Sequence, residues 1–446
     1  MRTSRIVAIG AAGIAAALAL SACSSGGNGG NGGDDNGNAA SNGTIEAPDG
    51  AGKTLTVWAM TGDLSDDTLA AVNKKFEADT GAKVKVETQQ WKDIATKITT
   101  ALATDTPPDV IDIGNTQVST FAASGGLADL TAYKDAFAQG QTWLGGLADP
   151  AMVDGKLYAV PSFGATRTVI YNKKVWADAG VTEAPSTYDD LKAALDKVKS
   201  ANTASDFSSF YLPGQYWYAA MQWIWDEGGD IATQQDGKWV AGFSSSEAQA
   251  GLTEWKTFQN TYSSKASQTL NTDKPDQDQV FADGKASAII GNNWEIGAIT
   301  KANPKIKTED LGTFAMPGAS GNTQPVMLAG SDWGIAAKSQ NQELARYWVK
   351  LAAGPDIQKN NVVSDGWIPN STEAGQAALD SGELTEQQTA FFQAAQNSKA
   401  TPASGSWASL EDPGMKQFFQ SVASGAKSPA DAAKSWDDTV NSTLNQ

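Results

Sequence analysis

The chain has 446 residues, 41% of them hydrophobic, and carries a formal net charge of −17. That length allows two or three domains or one large bilobal one, with enough apolar side chains to build a core. It contains no histidine and a single cysteine, which excludes Ser-His-Asp and Cys-His catalysis and the usual zinc sites, and leaves carboxylate chemistry or no chemistry at all. The acidic balance makes the chain a poor candidate for a polyanionic partner, nucleic acid or anionic lipid, since either calls for Lys and Arg.

In chain order, Arg2 and Arg5 precede an uncharged apolar stretch at 6–20, followed by Leu20-Ser21-Ala22-Cys23. A basic part, an apolar part and a small-residue cleavage site in that order define a secretory signal. The stretch falls short of the ~20 apolar residues needed to span a bilayer. Leu-Ser-Ala-Cys resembles the bacterial lipobox, in which cleavage before the cysteine is followed by acylation of its thiol. The expectation is a signal peptide over 1–22 and a lipid anchor on Cys23, placing the mature chain on the outer face of the cell membrane. Removing Arg2 and Arg5 takes the charge from −17 to −19 and leaves no cysteine for a disulfide. Residues 23–52 are mostly Ser, Gly, Asn, Asp and Ala, a composition that cannot bury a core and reads as a flexible tether.

The folded part opens with Leu-Thr-Val-Trp-Ala-Met at 55–60, a strand. A helix with Leu69, Val72 and Phe76 on one face follows and stops at Gly81. Next come an alternating strand at 84–87, a helical stripe of Trp91, Ile94, Ile98 and Leu102, a Pro107-Pro108 break and a buried strand at 109–113. Strand–helix–strand–helix–strand at this spacing is a parallel α/β unit, whose ligands bind beyond the carboxyl ends of the strands. The loop Gly114-Asn115-Thr116-Gln117 is at such an end. Extended segments are expected at 158–161, 168–171, 286–291, 312–317 and 334–337, and helices over 188–198, from Trp217 to the Gly228-Gly229 pair, and from Asn341 onward.

Several stretches carry a resemblance: Gln90-Trp91-Lys92-Asp93; Pro108-Asp109-Val110; Gly155-Lys156-Leu157-Tyr158-Ala159-Val160-Pro161 followed by Arg167; Phe281-Ala282-Asp283-Gly284-Lys285-Ala286; Gly291-Asn292-Asn293-Trp294-Glu295; and Gly366-Trp367-Ile368-Pro369-Asn370. In this order the chain from Thr54 onward resembles the extracellular sugar-binding lipoproteins of bacterial ABC importers, the maltose-binding-like group, with most likeness to the diacetylchitobiose and oligosaccharide branch. The resemblance implies a type II periplasmic-binding-protein fold, two α/β lobes with a ligand cleft between them, each lobe discontinuous: 53–161 with 286–340, and a helix-rich second lobe of 162–285 with 341–446. It implies an oligosaccharide ligand captured by hinge closure, delivery to the transmembrane subunits of a permease, no cofactor, no metal and a monomer.

A sugar presents hydroxyls at its edge and C–H faces above and below, so its cleft needs stacking rings and fixed donors and acceptors. The chain has 15 Trp against 9 Tyr and 14 Phe, a surplus of flat rings with a polar N–H. Asn115 and Gln117 supply amides, or else cap the next helix. Arg167 offers a planar donor fork, or a surface ion pair. The resemblance gives Trp294 a stacking role and Glu295 a hydroxyl-binding one. Trp333 and Trp367 are further stacking candidates. Trp217 and Tyr218 open an aromatic helix near the lobe boundary. Asp226 is either a hydroxyl acceptor or a solvated carboxylate, and Trp91 either lines the cleft or anchors its helix. Two other functions remain open on these residues: a secreted glycoside hydrolase using two carboxylates, and a binder of another small solute.

Overall fold

The computed structural model describes residues 43–446. The expected signal peptide, Cys23 and most of the tether lie outside the described residues.

Thr54–Met60 is buried along nearly its whole length and pairs in parallel with Lys83–Gln89 on one side and Val110–Gly114 on the other. The intervening helix, Asp66–Thr80, starts where the Ser65 hydroxyl accepts from the Thr68 N–H and ends at Gly81, whose φ of 70° only glycine adopts without strain. The sheet continues through two antiparallel strands, Ala329–Ile335 and Ala159–Ala165, to a short edge strand, Ile368–Pro369. Opposite the consecutive Ser331 and Asp332 the neighbouring strand carries one extra residue, Ser162, which bulges the Ala159–Ala165 strand. Gly330 is compulsory in the facing strand, because a Cβ there would lie 2.1 Å from the Phe163 carbonyl oxygen.

A second sheet has three antiparallel strands, with Thr168–Asn172 between Ala288–Gly291 and Leu311–Phe314. Around it pack the helices Tyr188–Ala201, Trp217–Asp226 and Ser246–Tyr262 and the C-terminal helices Lys416–Ala423 and Pro429–Leu444. Each sheet has its own core: one gathers residues between Ile45 and Phe163 with others between Trp333 and Val362, the other residues between Val169 and Met327 with others between Trp407 and Leu444.

These pairings differ from the lobe boundaries expected above. Residues 288–314 join the second sheet and not the first, and the helix Gln342–Ala352 packs on the first lobe, with Leu344, Tyr347 and Trp348 in its core. The reason is physical: a short apolar run announces a strand but not its partner, and here Ala288–Gly291 pairs with Thr168–Asn172 through an isolated antiparallel edge. The chain crosses between lobes at the Thr166-Arg167 link, near Met327 and Leu328, and around 396–406.

Candidate functional site

A cavity of about 290 Å³ opens between the two lobes, near the lower end of the ~300–1,000 Å³ typical of small-ligand sites. The carboxyl ends of the first and third parallel strands supply one wall, Asp63 from the turn after Met60 and the segment from Gly114 to Gln117. The Ala329–Ile335 strand adds Ser331, and Phe163 and Trp367 close that side. From the crossing link comes Arg167, and from the second lobe Tyr218, Trp294 and Glu411.

Three tryptophans face the opening. Trp91 is 40% exposed and Trp294 49%; Trp367 is partly buried, its ring centroid 4.7 Å from Phe163 and 5.9 Å from Trp294. Asp63 holds two of the three in place. Its carboxylate accepts from Trp91 Nε1 at 3.1 Å and from Ser331 Oγ at 3.2 Å, while its backbone carbonyl accepts from Trp367 Nε1 at 3.1 Å. Burial pushes the Asp63 carboxyl up to about 6 against the pull of these hydrogen bonds.

Arg167 donates from Nε to Tyr216 Oη at 3.1 Å and lays its guanidinium 4.6 Å from the Tyr218 ring centroid. Its Nη1 is buried with no hydrogen-bond partner among the described residues, a donor left over for something in the cleft. Glu411 takes long hydrogen bonds from Tyr218 Oη, 3.4 Å, and across the cleft from Thr116 Oγ1, 3.5 Å. Burial raises its carboxyl to about 7, with Arg167 pulling the other way. The lining thus offers ring faces, carboxylate acceptors, one unspent guanidinium donor and the orphaned buried Oε1 of Gln117. That set can grip a hydroxylated ring by its face and its edge.

The structure brings Trp91, Asn115, Gln117, Arg167, Tyr218, Trp294 and Trp367 to the cavity. Asn115 gives it little chemistry, since its amide already donates to the Gly146 and Leu328 carbonyls at 3.0 and 2.9 Å. Trp91 precedes its helix, which runs Ile94–Ala103, and leans on Gly114 instead of anchoring a helical stripe. Four expected residues are elsewhere. Trp217 is 0% exposed and packs edge-on against Trp407. Trp333 is 0% exposed and packs T-shaped on Trp348: it shares a face with Ser331 but lies two residues deeper along the strand, inside the first lobe's core. Glu295 is buried behind the wall, accepting from Gln277 Nε2 at 2.6 Å and Asn292 Nδ2 at 3.2 Å, its carboxyl raised by burial. Asp226 folds a loop: it accepts from the Ser320 amide and hydroxyl, and a Cβ on Gly318 would meet it at 2.0 Å.

Sequence reasoning missed Asp63, Ser331 and Glu411. Asp63 was within reach, since it follows a parallel strand at its carboxyl end. Glu411 gave no signal: it lies where extended backbone at Asp412 interrupts a helix. Among the described residues no group of three His, Cys, Asp or Glu side chains is placed to hold a metal ion, and no helix is long and apolar enough to cross a membrane.

Two lobes of mixed helix and sheet around a ring-lined cleft define a solute-binding protein of the type II periplasmic kind. The family model for bacterial extracellular solute-binding proteins matches residues 61–359, and the chain belongs to that family. It is 39% identical over 414 residues to the diacetylchitobiose binding protein DasA of Streptomyces coelicolor, covering 92% of this chain and 94% of that one. It is 25% identical over 400 residues to the maltodextrin-binding protein MdxE of Bacillus subtilis, 84% and 85% of the two chains. Solved structures share the fold: the sugar-binding protein MalE of Xanthomonas citri has a TM-score of 0.74 at 22% identity, covering 88% of this chain and 97% of its own. A cyclic α-maltosyl-1,6-maltose binding protein of Arthrobacter globiformis reaches 0.72 at 21%, covering 88% and 99%. The family is extracellular or periplasmic and consists of binding proteins, not enzymes.

Proposed function

We propose that this chain captures a small oligosaccharide, a disaccharide of the diacetylchitobiose type, between its lobes and hands it to the membrane permease of an ABC importer. The observation that carries this reading is the convergence of Trp91, Trp294 and Trp367 on one cleft with Asp63, Gln117 and Arg167 at its edge. The 39% identity with a diacetylchitobiose binding protein supports the choice of sugar. Trp294 and Trp367 come from opposite lobes, as do Thr116 and Glu411, so rotation about the crossing segments would open and close the walls. Acylation of Cys23 would tether the protein as a monomer to the outer face of the membrane, and two or more acyl chains suffice for stable attachment.

Calorimetric titration with chito-, cello-, xylo- and malto-oligosaccharides tests this. The chito series binds with one-to-one stoichiometry, and the sugar is recovered intact. Binding to none of the four, or sustained release of reducing ends by protein free of other hydrolases, would refute the reading.

A further inference from the structure

Beneath Asp63 lies a second carboxyl that the reading of the cleft does not use. Asp112 is on the Val110–Gly114 strand in the middle of the first sheet, and is 1% exposed. Its Oδ2 accepts from the Met60 N–H at 3.3 Å, and its Oδ1 is buried with no partner among the described residues. The Asp63 and Asp112 carboxyl groups are within hydrogen-bonding reach of each other, with the Ser331 hydroxyl beside both. Each is the titratable group that bears on the other; no Lys or Arg among the described residues offsets either. Two adjacent carboxylates in so dry a place cannot both ionise.

We propose that Asp112 is a positioning residue that keeps its proton at neutral pH and donates an O–H hydrogen bond to Asp63, holding Asp63 as the ionised acceptor that fixes Trp91 at the mouth of the cleft. The geometry assigns the roles. Asp112 is the more deeply buried, and its unpartnered oxygen is satisfied by becoming a donor. Asp63 faces the cavity and already receives Trp91 and Ser331, which favour its charged form. Burial and the Asp63 charge both raise the Asp112 carboxyl well above the ordinary range, whereas Asp63 reaches only about 6. Asp112 also fixes where Asp63 stands, because the Met60 amide it binds ends the strand from which the Asp63 turn departs. The inference rests on the reading of this cleft as the sugar site.

The test compares the wild type with Asp112→Asn and Asp112→Leu by titration with diacetylchitobiose from pH 5 to 8. Asn still donates to Asp63 and Leu does not. Asp112→Leu therefore weakens binding tenfold or more, and Asp112→Asn rescues it to within about threefold of the wild type. Wild-type affinity falls below pH about 6 as Asp63 takes up a proton, by up to about tenfold per pH unit. Because Asp112 is already neutral, Asp112→Asn leaves that midpoint within half a unit. A midpoint lowered by a unit or more would mean that Asp112 is ionised in the wild type, and would overturn the proposal. So would Leu binding as well as the wild type, or Asn and Leu losing affinity equally. Infrared difference spectra at pH 7.5 add an independent readout. The wild type shows a protonated-carboxyl C=O band that Asp112→Asn lacks, and its absence from the wild type also overturns the proposal. If Asp112→Leu does not fold, the Asn profile and this band decide. If the wild type binds no sugar, the reading of the cleft fails instead, and the band alone decides where the proton is.

Discussion

Trp294→Ala separates a ring that grips ligand from a ring that supports the fold. Trp294 is 49% exposed at the cleft, and its covered half rests against Trp367, centroids 5.9 Å apart. A tryptophan buries ~150–250 Å² when fully covered, so a stacked sugar would cover roughly 100 Å² more. At ~25 cal/mol per Å² that contact is worth about 2.5 kcal/mol, or about 60-fold in affinity at ~1.4 kcal/mol per decade. Truncation also removes the tilted ring pair, worth ~0.5–1.5 kcal/mol, which in a chain of this size moves the melting temperature of the free protein by only about 1–2 °C. Calorimetric titration with diacetylchitobiose alongside thermal unfolding of the ligand-free variant measures both. A fall in melting temperature of about 4 °C or more, the effect of the ~3–5 kcal/mol that truncating a core Trp costs, with unchanged affinity would show that Trp294 is a core residue and that the ligand binds elsewhere.

The corrected placement of Trp333 predicts the opposite pattern: Trp333→Phe leaves a smaller ring against Trp348, lowering the melting temperature by several degrees while sugar affinity changes less than threefold in the same titration. Arg167→Lys keeps the charge but loses the planar fork over Tyr218 and the bond to Tyr216, so affinity drops about tenfold; unchanged affinity would remove Arg167 from the ligand's contacts. The stability of the free protein should fall as pH rises from about 5 to 8. Asp63, Glu411 and Asp278 have carboxyls raised by burial to about 6, 7 and 8, from 3.8, 4.5 and 3.8. A raised acid keeps its proton longer in the folded chain, so its contribution falls as pH climbs through that window. The lowered acids Glu77, Asp79 and Glu373 lose their contribution only at lower pH. Melting temperatures by calorimetry at pH 5, 6, 7 and 8 check the slope; a rise across this range would contradict it.

Local structure was the most legible part of this chain. The strand at Thr54–Met60, the helix stopped by Gly81 and the buried strand Val110–Gly114 all follow from periodicity and one left-handed glycine. Pairing partners were not legible, because Ala288–Gly291 has the same apolar character whether it lies in a parallel sheet or at an antiparallel edge. At the site, Trp367 and Trp333 are alike in sequence, each near Gly in a short extended stretch. Ser331 and Trp333 share a face of their strand, but Ser331 is at the end that meets the cleft and Trp333 two residues deeper against Trp348, a depth that local composition does not record. The two carboxylates of the lining, Asp63 and Glu411, come from opposite ends of the chain, where only the tertiary fold joins them.

A crystal structure of the protein grown with diacetylchitobiose tests the central claim most directly. The account predicts density for the sugar between Trp91, Trp294 and Trp367, with the Asp63 carboxylate and the free Arg167 Nη1 within hydrogen-bonding distance of its hydroxyl or acetamido oxygens. Sugar bound instead in another opening, such as the one lined by Trp239 and Lys399, with this cleft holding only water, would contradict it.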